Sequence, residues 1–156
     1  NGNISVKMND VLKSNIYRFN DSYNTTFIDT GSPHLIRKYE NIDKIDVVKE
    51  ARELKKKYSE YTHGLNINFC EISDSEFKLR TYERGVEDET LSCGTGAVAS
   101  AIFLKDLALV DNIKIDILMK GGLLTVDFII KETTYSEIWL TGSVNMVFRG
   151  VYNNFD

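Results

Sequence analysis

Proline, cysteine and histidine are all scarce in this chain: one, two and two residues respectively among 156. Two cysteines, Cys70 and Cys93, are too few for a disulfide framework in a domain of this size, and a reducing cytoplasmic location is expected. Two histidines, with no Cys-x-x-Cys and no His-x-x-x-His spacing, offer a zinc ion no ligand set. The single proline, Pro33, and the lack of any Ser/Pro/Gly-rich linker leave no internal boundary, so residues 1–156 read as one domain. No self-similarity at solenoid or propeller spacing is present. Apolar runs fall well short of the ~20 residues a membrane helix needs, and no signal-peptide pattern opens the chain. Basic charge is also short, with 19 Lys and Arg against 23 Asp and Glu for a net charge of -4. No basic stripe is left to neutralise phosphates, which argues against nucleic acid as a partner. The densest basic run, Lys55-Lys56-Lys57, closes a predicted helix, where cations complement the dipole on a solvated face. The chain begins at Asn1 and not at Met, as a processed chain or an excised piece would.

The composition supplies material for a core: 42% of the residues are hydrophobic, enough for one domain or one lobe of something larger. Most of it reads as strand. Val6–Asp10 and Val11–Phe19 look like an opening pair, and Asn24–Asp29 and His34–Tyr39 flank a turn at Gly31-Ser32-Pro33. Leu65–Phe69 and Phe77–Tyr82 alternate apolar and polar residues with period two, the pattern of half-buried strands. Four more strands are expected at Ile113–Lys120, Leu123–Lys131, Tyr135–Thr141 and Val144–Tyr152, with Gly121-Gly122 as a hairpin signal. Two segments take helical period instead. In Asp46–Tyr58, Asp46 is a good N-cap and Val47, Ala51, Leu54 and Tyr58 stripe one face. After Gly96, Ala97 to Leu104 leave no polar face for nearly two turns, which predicts a helix buried on all sides. The economical architecture is α+β: a curved, mostly antiparallel sheet wrapped around that central helix, with the other helix outside.

The chemistry concentrates in residues 83–96, Glu-Arg-Gly-Val-Glu-Asp-Glu-Thr-Leu-Ser-Cys-Gly-Thr-Gly. Cys93 stands at the N-terminus of the buried helix, where the first N–H groups lack internal partners and the dipole favours anions. Such a place can hold a carboxylate, and it is expected to lower the thiol pKa from its free value toward neutrality. A small buried hydrophobe capping a core helix is the alternative for Cys93, but the glycines that follow it permit close approach of a ligand, which a core thiol does not need. Cys70, in mid-strand with no glycine loop or helix start behind it, reads as structural. His63, beside Gly64, reads as a loop residue.

These residues resemble the diaminopimelate epimerase family. Glu83-Arg84-Gly85, then Glu89-Thr90 and Cys93-Gly94-Thr95-Gly96-Ala97, match the signature of the second half of that family. Thr30-Gly31-Ser32-Pro33-His34, Asn66-Ile67-Asn68-Phe69, Leu140-Thr141-Gly142-Ser143-Val144 and Val147-Phe148-Arg149-Gly150 follow the family's order. The resemblance implies two similar lobes, each a sheet around a central helix with a cysteine at its tip, of which this chain is the C-terminal lobe. It further implies cofactor-independent epimerisation of LL- to meso-diaminopimelate in lysine and cell-wall precursor synthesis, by two acid–base thiols on opposite faces of Cα. Cys93 would be one of them. Glu83 and His34 would adjust thiol pKa values. Asn66, Glu83, Arg84, Gly94 and Thr95 would bind substrate, the last two through helix N–H groups. The implied partners are the small-molecule substrate and an N-terminal lobe carrying a Cys-Gly-Asn-Gly motif that is absent here; a homodimer is compatible with the reading. No metal or cofactor is implied.

Three departures stand out. Ser32 occupies the position where the family usually has a substrate-binding asparagine; serine has a shorter reach and one donor, so its carry-over is open. The stretch Val86–Thr90 is one residue longer than the common spelling, and Ser143 replaces a proline. Two other readings compete: a related racemase of the same fold, such as a proline racemase-like protein, and a catalytically silent binding domain, since one lobe holds half of the acid–base machinery.

Overall fold

The computed structural model describes residues 2–60, 64–73 and 76–152; His63 lies outside them. Among these, one curled sheet holds strands β1 (Gly2–Lys7), β2 (Val11–Leu12), β3 (Ile16–Arg18), β4 (Thr26–Asp29), β5 (Pro33–Tyr39), β6 (Asn66–Ile72), β7 (Phe77–Glu83), β8 (Asp88–Thr90), β9 (Lys114–Met119), β10 (Gly122–Ile130) and β11 (Thr134–Val144). Its order is β1-β11-β10-β9-β7-β6-β5-β4-β3, with β2 on β11 and β8 on β7. Pairing is antiparallel except between β5 and β6 and between β7 and β9. The sheet curls around helix α2 (Gly94–Asp106), while α1 (Val47–Lys57) packs on its outside. This is the expected α+β architecture.

Both helices follow from their patterns. The Asp46 side chain accepts the Lys49 N–H at 3.1 Å and starts α1. Val47, Ala51 and Leu54, spaced at i, i+4 and i+7, are buried, and the three lysines fill the last turn. In α2 every residue from Gly96 to Leu104 is buried. Burying side chains such as Ile102, Phe103 and Leu104 stabilises by roughly 1.5–3 kcal/mol each. Arg18 of β3 fixes the far end of α2 by bonding both the carboxylate and the carbonyl of Asp106.

Three expectations are corrected. Val6–Asp10 and Val11–Phe19 do not pair with each other. β1 and β2 instead lie in series along one edge of β11, separated by a bulge at which Glu137 takes φ 49 and donates its N–H to Asp10. A partner some 130 residues away leaves no local trace in sequence. Val144–Tyr152 is not a strand: β11 ends at Val144, and residues 145–152 have no ladder. β6 is not half-buried. Ile67 and Phe69 face α1, while Asn66 and Asn68 on the other face are 3% and 0% exposed. A sheet sandwiched between two helices buries both sides, so the asparagines of the alternating run point into protein. The glycine pair does end a hairpin: Met119 pairs with Gly122 between β9 and β10, and the Gly121 N–H donates to the Leu91 carbonyl at 2.7 Å, tying the hairpin tip to the loop before Cys93.

Candidate active site

The inner face of the sheet changes character along its length. Toward the far end of α2 it presents Ile36, Cys70 and Leu79, all in the apolar core. Two residues nearer the helix tip along each strand it presents His34, Asn68 and Thr81, all 0% exposed. Two residues further come Ser32, Asn66 and Glu83. The N-terminal ends of β5 and β6, the C-terminal end of β7 and the N-terminus of α2 therefore share one rim, because β5 and β6 run parallel and β7 runs against them.

Asn66 ties this rim together. Its amide donates to the Ser32 hydroxyl at 2.9 Å and to the Pro33 carbonyl at 3.0 Å, and its oxygen accepts the Arg84 backbone N–H at 3.0 Å. Both amide protons are thus engaged within the protein, so Asn66 acts here as a clamp between the turn before β5 and the loop after β7. The Ser32 hydroxyl, used as an acceptor, keeps its own proton to donate. Glu83 accepts from the Thr90 hydroxyl at 3.0 Å. The loop beyond it is a tight turn: Glu87, at φ 60, donates its N–H to the Glu83 carbonyl at 2.8 Å. The Glu87 carboxylate accepts from Lys55 of α1 at 2.6 Å, from the Tyr82 hydroxyl at 3.1 Å and from the Gly85 N–H at 3.2 Å. The longer spelling of residues 86–90 is thereby anchored to α1. Glu89 faces away from the rim, held by Arg80 at 2.6 Å and 2.8 Å and by Lys120 at 2.7 Å. That pairing is structural and keeps its carboxyl below the usual range.

Cys93 is the N-cap of α2, in extended conformation, and its carbonyl accepts the first helical bond from Ala97 at 2.9 Å. The thiol lies 3.7 Å from the Thr95 hydroxyl and is 7% exposed as a residue. Here the expectation of a lowered pKa is overturned. Burial pushes the Cys93 thiol up; the Thr95 hydroxyl and the Gly96 N–H pull it back, and the Glu83 carboxylate pushes it up again. A helix N-terminus stabilises an anion by about 0.3–1 kcal/mol, and loss of hydration on burial outweighs that. The thiol keeps its proton at neutral pH. Two glycines make the close packing here. A Cβ at Gly94 would come within 2.8 Å of the Leu140 side chain, and one at Gly96 within 2.7 Å of Asn68 Oδ1 and 3.3 Å of Cys93 Sγ.

His34 is pulled down to about 3, first by burial and then by the charge of Arg84. Its Nδ1 lies 3.0 Å from the Asn68 amide nitrogen. Its Nε2 is buried without a hydrogen-bond partner among the described residues. Arg84 itself sits against Gly64, whose Cβ would meet its side chain at 2.7 Å. Asn68 and Thr81 were not among the site residues read from sequence. The available signal was that Asn68 follows Asn66 by two on the same strand and must share its face.

Every residue expected at the site thus comes to this one rim: Ser32, His34, Asn66, Glu83, Arg84, Cys93, Gly94 and Thr95. Cys70 lies away from it in the core, its thiol pushed up to about 12 by burial. A concavity of about 670 Å³ between Tyr23 and Tyr39 holds none of them. Among the described residues no three His, Cys, Asp or Glu side chains are grouped to hold a metal ion, and no helix is long and apolar enough to cross a membrane.

Comparisons with known proteins give the family of the chain. The family model described as "Diaminopimelate epimerase" matches residues 26–147. Diaminopimelate epimerase of Flavobacterium psychrophilum is 41% identical over 94% of this chain and 56% of its own length. Those of Aquifex aeolicus and Chlorobaculum tepidum are 42% and 40% identical over 80% and 83% of this chain, and over 44% and 50% of their own lengths. The chain therefore spans about half the length of the curated relatives it matches. Among solved structures, a hydroxyproline epimerase from Agrobacterium vitis covers 90% of this chain and half of its own with a TM-score of 0.64 at 13% identity, a likeness of fold alone. On the extent of the family match and the identity to these relatives, the chain belongs to the diaminopimelate epimerase family.

Proposed function

We propose that this chain is the C-terminal lobe of a cofactor-independent amino-acid epimerase that interconverts LL- and meso-diaminopimelate in the cytosol, and that it supplies one of two acid–base thiols. The observation that carries this reading is the position of Cys93: a thiol at the tip of α2, beside Glu83, where the buried polar strip of the sheet reaches its rim. Inverting Cα without an electron-sink cofactor needs one group to remove the α-proton from one face and another to deliver a proton to the opposite face. The reaction is reversible, so each group donates in one direction and accepts in the other. Cys93 with its proton in place is the donor form. The N–H groups of Gly94 and Thr95 are suited to hold the substrate α-carboxylate, where negative charge grows as the α-proton leaves. Ser32, with a hydroxyl proton left to give, adds a donor on the same rim, and Glu83 offers an acceptor for the α-ammonium.

A lobe that works against a twin needs a surface for it. Ile4 and Val6 of β1 are 54% and 52% exposed. They stand in register with Gly142 and Leu140, on the sheet face that buries Val126. Leu140 in turn packs on Gly94 at the helix tip. This apolar edge beside the site supports a contact with the other half of the longer relatives, for which contacts of about 600–1,500 Å² are usual. Met146, Val147 and Phe148, which follow β11 in the chain, are exposed as well.

The experiment is to incubate this chain with diaminopimelate in D2O and follow stereochemistry and deuterium at Cα. No inversion is expected, because the second thiol is absent; clear turnover would refute the half-site reading. In a protein that carries both lobes, Cys93→Ala should lower inversion by about 10²–10⁴-fold, the usual contribution of a positioned acid or base. Inversion unchanged by Cys93→Ala would remove Cys93 from the mechanism.

A further inference from the structure

We propose that Asn68 is a positioning residue that fixes His34 as its Nε2–H tautomer. Asn68 lies wholly buried between β5 and β7, with three protein groups around its amide. The amide nitrogen faces His34 Nδ1 at 3.0 Å and the Leu35 carbonyl at 3.5 Å; the amide oxygen accepts from the Thr81 hydroxyl at 2.9 Å. The Leu35 carbonyl decides the orientation. Turning the amide over would set two oxygens against each other with no proton between them. The side facing β5 is therefore the NH2 group, and His34 Nδ1 must meet it with a lone pair.

A neutral imidazole has one N–H, so the ring proton resides on Nε2, the nitrogen without a partner among the described residues. An imidazolium would place a second N–H against the Asn68 amide protons, so the same contact opposes protonation of the ring. Gly96 makes room for Asn68, since the amide oxygen lies within 2.7 Å of where a Cβ of residue 96 would be. Thr81, Asn68 and Gly96 thus form a mount that links the His34 ring to the tip of α2, and through Gly96 to Cys93. His34 then enters any reaction at this rim as a neutral donor and not as a base. That last consequence rests on the epimerase reading; the tautomer does not.

The test is a two-bond 1H–15N correlation spectrum of the imidazole nitrogens in the 15N-labelled chain near neutral pH, with His63→Gln used to assign the other ring. His34 should show a pyridine-type Nδ1 and a pyrrole-type Nε2 in a single unaveraged state. In Asn68→Asp the carboxylate has no proton to give, so Nδ1 should gain one and move to the pyrrole-type range. A pyrrole-type Nδ1 or a tautomer mixture in the unsubstituted chain would overturn the proposal. So would a folded Asn68→Asp chain with an unchanged His34 spectrum. If that variant does not fold, the unsubstituted spectrum decides alone. The readout is a ring proton, so loss of the epimerase reading and loss of this one are separately visible.

Discussion

The two ends of the cage around α2 each hold a cysteine, and the two thiols differ in what surrounds them, not in whether they are buried. Cys70 sits in mid-strand β6 among Ile36, Leu79 and the apolar side of α2, 1% exposed. Cys93 sits at the helix tip, 7% exposed, with the Thr95 hydroxyl, the Gly96 N–H and the Glu83 carboxylate acting on it. Burial raises both. At Cys70 the opposing influence is the charge of Lys38, its register partner on β5, and the thiol still rises to about 12; at Cys93 hydrogen-bond donors work against the burial. One sheet face therefore makes an inert core over its first half and a polar, donor-rich rim over its second, by exchanging Ile36, Cys70 and Leu79 for His34, Asn68 and Thr81.

The sharpest way to break this comparison is alkylation of the folded chain followed by mass spectrometry. Cys93 should react through its thiolate, with a rate that climbs above the pH range of an ordinary free thiol because its pKa is raised. Cys70 should react only through global unfolding. Unfolding a domain costs about 5–15 kcal/mol, so its rate should be slower by roughly 10³-fold or more. Comparable rates at the two sites would erase the distinction between rim and core.

Stability against pH separates the rim histidine from the two thiols by direction. At the rim, His34 is lowered from 6.5 to about 3 by burial and by Arg84. Between those values the unfolded chain binds the proton and the folded chain does not, so stability falls as pH falls through that window. In the core, Cys70 is raised from 9.0 to about 12 by burial. Between those values the unfolded thiol has lost its proton and the folded one has kept it, so stability falls as pH rises. Cys93 adds to that alkaline loss with the same sign. Urea unfolding measured from about pH 4 to pH 10 should show the acid limb flattened in His34→Gln and the alkaline limb flattened in Cys70→Ala. Limbs of unchanged slope in both variants would mean that neither group is held neutral by the fold.

The comparison also marks what the sequence carried. α1 was legible because its stripe and its Asp46 cap are local, and α2 because no polar face follows Gly96. Cys93 at a helix tip was legible for the same reason. The direction of its pKa was not, since Leu140 and the inner face of the sheet bury the tip through contacts distant in sequence. Asn68 was hidden likewise: its role depends on the registers that bring Thr81 and His34 to it, and an alternating strand looks the same whether its second face meets water or a helix. Val144–Tyr152 has strand composition, but a strand needs a neighbouring edge. At Leu140 and Gly142, near its end, β11 already has β1 on one side and β10 on the other.

The smallest expected effect is the most exacting, because it predicts opposite signs two residues apart. Replacing a helical glycine by alanine usually stabilises, by about 0.5–1 kcal/mol, through the entropy of the unfolded chain. At Gly94 the new Cβ would meet only Leu140 Cδ2, the far end of a flexible side chain at the apolar edge. A small rotation there relieves the contact, so Gly94→Ala should leave stability unchanged or slightly raised. At Gly96 the new Cβ would press on Asn68 Oδ1 and on Cys93 Sγ together. The Asn68 amide is held at one end by Thr81 and at the other by His34, so it yields only by breaking a buried hydrogen bond. Overpacking of this kind costs about 1–3 kcal/mol, more than the entropic gain. Gly96→Ala should therefore be destabilised in urea unfolding while Gly94→Ala is not. Equal values for the two variants would show that Asn68 is free to move, and that the polar rim is softer than the core it continues.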